Sequence, residues 1–269
     1  MTSPAHTAAQ PLVFITGASS GIGQALAWRF YQAGYRLALV ARRTAEIDKW
    51  AVASSLASER YAVYSADVAN PDSIAAAGAQ CIARQGLPDV VIANAGISVG
   101  VDTAVRADID VIAQTFATNN TGLAATFHPF IAAMETRRTG RLVGIASVAA
   151  IRGLPGHGAY CASKAAVVAY CESLRGEMRA ATGKDGVKVV TIAPGYIDTP
   201  LTQGNSYSMP FLTPVDVFAD RAFSAITQGT SYRVIPWQMG VVAKLLRVLP
   251  NWLFDIALSG RPRKKRQGQ

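Results

Sequence analysis

Residues 12–34 constrain the fold of this chain more than any other stretch. Leu12–Thr16 (LVFIT) is a short run of β-branched and aromatic residues and reads as a buried strand. TGASSGIG follows at once, and a helical pattern (IGQALAWRFYQAG) then runs to Gly34. A strand that passes through a glycine-rich turn directly into a helix is the setting a dinucleotide needs. Glycines let the backbone approach a pyrophosphate, and the free N–H groups at the helix start favour its negative charge. Gly17, Ser19, Ser20, Gly21, Ile22 and Gly23 are therefore candidate cofactor contacts, with the spacing G-x-x-x-G-x-G.

Six more apolar runs read as strands: residues 37–41, 61–66, 89–93, 141–147, 187–193 and 232–236. Helical patterns separate them. Asn70-Pro71-Asp72 and Thr213-Pro214-Val215-Asp216 look like helix starts, and residues 105–136 form one long helical stretch. The alternation predicts an α/β fold, a doubly wound parallel sheet with helices on both faces. The expected organisation is a disordered lead-in at 1–10, one domain at 11–236, an amphipathic helical extension at 237–260 and a basic tail at 261–269.

The chemistry is expected between residues 147 and 164 (SVAAIRGLPGHGAYCASK). Ser147 ends an apolar run, and a Gly- and Pro-rich loop leads to a helix that carries Tyr160 and Lys164. Positions four apart share a helix face, so the phenol and the ammonium lie side by side. A neighbouring cation favours the phenolate and draws a phenol of pKa about 10 toward neutrality. A phenol tuned in that way can give or take a proton near physiological pH.

An acidic residue about 20 positions after the glycine turn would select a ribose 2′-hydroxyl. Ala41-Arg42-Arg43 stands there instead. Guanidinium groups suit bidentate contact with a 2′-phosphate, so NADP(H) is the expected cofactor and NAD(H) the alternative.

Together these motifs resemble the short-chain dehydrogenase/reductase family over residues 12–236. The glycine spacing, Asn94-Ala95-Gly96, the Asn-x-x-Gly that starts at Asn119, the Ser–Tyr–Lys set and Pro194-Gly195-x-x-x-Thr199 follow one another in the family's order. The resemblance implies a Rossmann-like fold and an oxidoreductase acting on CH–OH or C=O groups. It makes Asn119, Ser147, Tyr160 and Lys164 the catalytic set, with Asn120 as the register alternative to Asn119. It places Arg42 first at the cofactor and Asp67 and Val68 beside the adenine. Asn94 is mainly structural in the family, and Ala95 and Gly96 allow close approach of the cofactor. Tyr160 and Lys164 also contact the cofactor, and Pro194, Gly195, Ile197 and Thr199 hold the nicotinamide carboxamide. The partner is a small carbonyl or alcohol. Ile151, Leu154, Tyr196 and Phe211 suggest an apolar pocket for it, under a mobile loop at 204–210. A regulator that binds NADP(H) without turnover, or a membrane-surface adaptor, would be the alternatives.

Charge is uneven: residues 1–232 carry a net +2 and residues 233–269 a net +7. The near-neutral body argues against nucleic acid as a partner. Residues 237–258 combine Val, Leu, Trp and Phe with a polar stripe of Gly240, Lys244, Arg247 and Asn251. Such a segment either packs on its own protein or attaches peripherally to an anionic membrane surface. The helix after Tyr160 has an apolar surface that suits a homodimer or other homo-oligomer. Cys81, Cys161 and Cys171 lack metal-like spacing and fit free thiols in a reducing, cytoplasmic setting. His6, His128 and His157 form no cluster, so no metal site is expected, and the first residues (MTSPAHTAAQ) lack the pattern of a signal peptide.

Overall fold

The computed structural model describes residues 10–203, 208–260, 264 and 266. The chain runs through β1 (Leu12–Thr16), α1 (Gly21–Gln32), β2 (Arg36–Ala41), α2 (Thr44–Ala53), β3 (Tyr61–Ser65), α3 (Pro71–Gln85) and β4 (Val90–Ala93). It continues through α4 (Arg106–Phe116), α5 (Gly122–Arg137), β5 (Arg141–Ile145), α6 (Gly158–Thr182), β6 (Lys188–Pro194) and α7 (Pro200–Gln203). It ends with α8 (Val215–Thr227), β7 (Tyr232–Ile235), α9 (Trp237–Val248) and α10 (Asn251–Leu258).

The seven strands make one parallel sheet in the order β3-β2-β1-β4-β5-β6-β7. Consecutive side chains of β1 point to opposite faces, and both faces are covered. Phe14 packs with residues of α3, α5 and α6, while Val13 and Ile15 pack with residues of α1, α2 and α8. A strand buried on both faces needs an unbroken apolar run, which is why LVFIT was readable as one. The chain order reverses direction between β1 and β4. A crevice opens there at the carboxyl ends of the strands.

The stretch at 105–136 is not one helix. A π-helical turn, Ala117–Thr121, joins α4 to α5. Two contacts account for the break. Asn119 and Asn120 are both tied to Ser163 of α6, through its side chain and its carbonyl respectively. Gly122 packs so closely that a Cβ there would lie 2.8 Å from the Val68 carbonyl. Widened turns of this kind recur at functional sites because they re-aim one side chain.

The extension differs from its expected polarity. Met239, Gly240 and Ala243 are the buried positions of α9, and a Cβ on Gly240 would meet Val234 of β7 at 3.2 Å. Gly240 therefore belongs to the packed face and not to a polar stripe. Gly240 and Ala243 let the helix approach the sheet closely, Met239 packs with them, and Trp237, Val241, Leu245 and Val248 are exposed. In the basic tail, Arg266 pairs with buried Asp108 at 2.7 and 3.0 Å. The other tail residues, 261–263, 265 and 267–269, lie outside the described residues. So do residues 1–9 of the lead-in and 204–207 of the loop.

Candidate active site

The glycine turn is fixed from below. Thr16 Oγ1 accepts from the backbone N–H of Asn94 (3.1 Å) and Ala95 (3.2 Å), and Asn94 Nδ2 donates to the carbonyls of Thr16 (3.0 Å) and Gly17 (3.3 Å). These bonds clasp the end of β1 to the end of β4. Gly17 and Gly21 have φ of 67° and 56°, the left-handed region that glycine adopts without strain. Among the described residues, no side chain caps the first turn of α1, and that turn holds no acidic residue. Its N–H groups thus remain available to an anion.

A cleft of about 490 Å³ opens above the turn. It gathers Gly17, Ser19, Ser20, Gly21, Ile22, Arg42, Asp67, Val68, Asn94, Ala95, Gly96, Ser147, Tyr160, Lys164, Pro194, Gly195, Ile197 and Thr199 on one wall or another. Gly23 is not among the lining residues. A Cβ there would sit 2.2 Å from the Gly17 carbonyl oxygen, so Gly23 lets α1 pack under the turn. Asn119 also lies behind the wall. Arg43 lines the cleft together with Arg42, whose Nη1 is 3.6 Å from Asp67 Oδ2. A groove of about 700 Å³ runs outside, over α1, α2 and α8, and shares only Ser20, Gly21 and Thr199 with the expected site.

At the inner end, Ser147 follows β5 and accepts from the Ala149 N–H at 3.1 Å. Its hydroxyl also lies in hydrogen-bond reach of the Tyr160 phenol. Lys164 is buried and donates to the Ile145 carbonyl at 2.8 Å, with Nζ 5.8 Å from the Tyr160 ring centre. Asn119 accepts from Ile97 N–H (2.9 Å) and donates to the Ile97 carbonyl (3.0 Å) and Ser163 Oγ (2.9 Å). A Cβ on Gly96 would meet Asn119 Oδ1 at 3.2 Å and Lys164 Nζ at 3.4 Å. Asn119 is therefore the asparagine found beside Lys164, and Asn120 points to the Ser163 carbonyl. Thr16 and Ser163 are the supporting residues the sequence reading left unassigned. Thr16 was visible as the first letter of the glycine motif; nothing in spacing alone marks Ser163.

Burial governs both titrating groups. It raises the Tyr160 phenol above 10.0; the hydrogen bond with Ser147 works against that rise and Cys161 adds to it. Burial lowers the Lys164 ammonium from 10.5 to about 8, opposed by Cys171. The phenol is thus shifted away from neutrality, contrary to the expectation drawn from its neighbouring cation. For the phenol, desolvation outweighs the opposing hydrogen bond from Ser147.

This has a measurable consequence for stability. Between pH 8 and 10.5 the unfolded chain binds more protons at Lys164 than the folded one, so the group's contribution to stability rises with pH across that window. In cofactor-free buffer, Lys164→Met is expected to be more stable than wild type below pH 8, by on the order of 2 kcal/mol. The advantage should shrink by pH 10. Denaturant unfolding across this range checks it, and a constant difference at every pH would contradict the assigned shift.

Of the four residues expected to form an apolar pocket, Ile151, Leu154 and Tyr196 are half-buried and Phe211 is 51% exposed; none lines the cleft. Cys81, Cys161 and Cys171 are free and buried. His157 is held near the Pro155 carbonyl at 3.3 Å, and burial lowers its pKa. No metal-like cluster occurs among the described residues.

The short chain dehydrogenase family profile matches residues 11–209. An uncharacterized oxidoreductase of Myxococcus xanthus is 35% identical over 243 residues, covering 90% of this chain and 94% of its own. Dehydrogenase/reductase SDR family member 7B of Bos taurus is 33% identical over 278 residues, covering 96% and 83%. A short chain dehydrogenase/reductase from Burkholderia phymatum, solved in complex with NAD, shares the fold with a TM-score of 0.79 at 22% identity, over 95% and 97% of the chains. An alcohol dehydrogenase from Thermococcus sibiricus, complexed with 5-hydroxy-NADP, gives 0.73 at 23% identity over 83% and 95%.

Proposed function

The chain belongs to the short-chain dehydrogenase/reductase family of oxidoreductases, and on that premise we propose that it uses NADP(H) to interconvert a carbonyl and a secondary alcohol on a hydrophobic small molecule. The observation that carries this reading is the meeting of Ser147, Tyr160 and Lys164 in one cleft with the glycine turn. The cleft suits a dinucleotide: glycines open the turn, the first turn of α1 offers uncapped N–H groups, and Arg42 and Arg43 line the cleft as guanidiniums suited to a 2′-phosphate. Gly17, Ser19, Ser20, Gly21 and Ile22 would hold the pyrophosphate. Asp67 and Val68 would flank the adenine, while Ala95 and Gly96 let the cofactor close in. Pro194, Gly195, Ile197 and Thr199 would hold the nicotinamide side. When bound, the nicotinamide supplies or accepts the hydride.

The chain's own residues handle the oxygen and its proton. Ser147, positioned by the Ala149 N–H, hydrogen-bonds the substrate carbonyl oxygen. Tyr160 holds a proton on its phenol oxygen and gives it to the forming alkoxide; in the reverse direction it is the base. The raised phenol pKa keeps that proton in place for reduction. Lys164, anchored on the Ile145 carbonyl and lining the cleft, would give its remaining N–H donors to the cofactor ribose. Asn119 orders the backbone at Ile97 and supports proton relay toward Lys164.

The chain is read as a homodimer or other homo-oligomer, supported by exposed Ala162, Ala165, Ala169 and Tyr170 along α6. It is read as cytoplasmic and attached peripherally to anionic membranes through its extension. Among the described residues no helix is long and apolar enough to cross a membrane.

Purified protein assayed with NADPH and a panel of ketones and aldehydes tests the catalytic reading. Consumption of NADPH with at least one hydrophobic carbonyl is expected. Tight cofactor binding without turnover on any class would favour a cofactor-binding regulator instead.

A further inference from the structure

The helix pair at the C-terminal end presents an unusual surface. Met239, Gly240, Ala243, Phe254 and Leu258 are its buried residues. Outside, Trp237 is 66% exposed, Leu245 61%, Val248 77%, Trp252 66% and Ile256 63%. Trp237, Val241, Leu245 and Val248 follow at intervals of four, four and three and so share one face of α9. Trp252 and Ile256 are four apart and share a face of α10. Seven of the fifteen large hydrophobic side chains exposed among the described residues lie within 237–258. Exposed apolar side chains gathered in this way mark a contact surface.

Charge indicates what the face meets. Lys244 and Arg247 are exposed and border the apolar side chains, against one acid, Asp255. In sequence, a basic tail with Arg261, Arg263 and Lys265 follows. A second copy docked through the same face would bring Lys244 and Arg247 of the two copies together, which disfavours self-pairing. An anionic bilayer offers apolar depth, negative headgroups and an interface where tryptophan is favoured.

This face is also joined to the active-site loop. Arg152, five residues after Ser147, donates to the Leu246 carbonyl, to the Leu249 carbonyl at 2.8 Å and to Asn251 Oδ1 at 2.8 Å. Its guanidinium also lies 3.8 Å from the centre of the Phe254 ring. One side chain thereby caps the end of α9, holds the start of α10 and stacks on α10. Met239 of α9 also packs directly on Gly195, which lines the cleft.

We infer that the outer face of α9 and α10 docks on anionic lipid, with Trp237 and Trp252 at the interface, and that Arg152 ties this face to the loop after Ser147. The inference rests on the proposed peripheral attachment and adds its surface and its link to the active site. Docking would then order the loop after Ser147 as well as the helices.

The test uses the full chain with vesicles of phosphatidylglycerol and phosphatidylcholine, and of phosphatidylcholine alone. Wild type should pellet with the anionic vesicles and less in high salt. Leu245→Asp combined with Val248→Asp, both on exposed positions, should weaken pelleting at least tenfold while leaving NADPH-dependent turnover of a water-soluble carbonyl unchanged. Hydrogen exchange on the vesicles should slow in residues 148–154 as well as 237–258. In Arg152→Ala the protection should be confined to 237–258. Wild type that does not pellet would overturn both the attachment and this surface. Equal pelleting of the double variant would overturn the surface alone. Protection that stops at 237 in wild type would overturn the Arg152 link, and sedimentation velocity showing a dimer lost in the double variant, without vesicle binding, would reassign the face to self-association. The catalytic reading is assayed without lipid and survives each of these failures.

Discussion

Tyr160→Phe is expected to lower kcat at least about 100-fold while the fold and the cofactor affinity stay near those of wild type. The substitution removes a single oxygen from a ring in the first turn of α6. It leaves Ser147 held by the Ala149 N–H and Lys164 held by the Ile145 carbonyl. What disappears is the one group placed to give a proton to an alkoxide formed near Ser147. The effect should fall on kcat far more than on the Kd for cofactor, because most contacts expected to hold the dinucleotide come from the glycine turn, Arg42, Lys164 and the segment after β6, and the phenylalanine keeps the ring. Lys164→Met separates the two roles: it should weaken cofactor binding and turnover together. Steady-state kinetics and cofactor titration of both variants decide the matter. Near-normal turnover in Tyr160→Phe would sink the assignment of the phenol as the acid.

Particular residues show which parts of this arrangement a sequence can reveal. Val13, Phe14 and Ile15 announce a strand because a parallel strand buried on both faces must be apolar throughout. The glycine turn is legible because its backbone demands glycine at Gly17 and Gly21. What stayed hidden depends on three-dimensional proximity. The π-helical turn at Asn119 arises from contacts to Ile97 and Ser163, 22 and 44 positions away, so a helical period runs through it without a sign. Gly240 reads as part of a polar stripe in the sequence because a hydrophobic pattern counts large side chains. Here Gly240 and Ala243 share the packed face with Met239, while Trp237, Val241, Leu245 and Val248 face outward. Arg152 reads as a loop cation until the turn between α9 and α10 is folded beneath it. The opposing pKa shifts of Tyr160 and Lys164 could not be read from spacing either, since burial sets their direction.

Arg42→Asp is expected to change the ratio of kcat/KM for NADPH over that for NADH by about 100-fold or more, toward NADH. Arg42 directly follows β2, where an acid would otherwise select a ribose diol. Its present contact with Asp67 spans 3.6 Å between side chains that are 68% and 42% exposed, so it is weak and leaves the guanidinium free to turn onto a phosphate. Two charge-assisted hydrogen bonds to that phosphate, at about 1.5 kcal/mol or more each, already account for two orders of magnitude. An aspartate removes them, repels the phosphate and offers an acceptor to the 2′-hydroxyl of NADH. Arg43 lines the same cleft, so Arg43→Ala is the necessary companion. If Arg43→Ala shifts the ratio and Arg42→Asp does not, the phosphate contact belongs to the second arginine. A wild type that prefers NADH from the outset would refute the choice of NADP(H) altogether, because two cations at the end of β2 would then have no phosphate to meet.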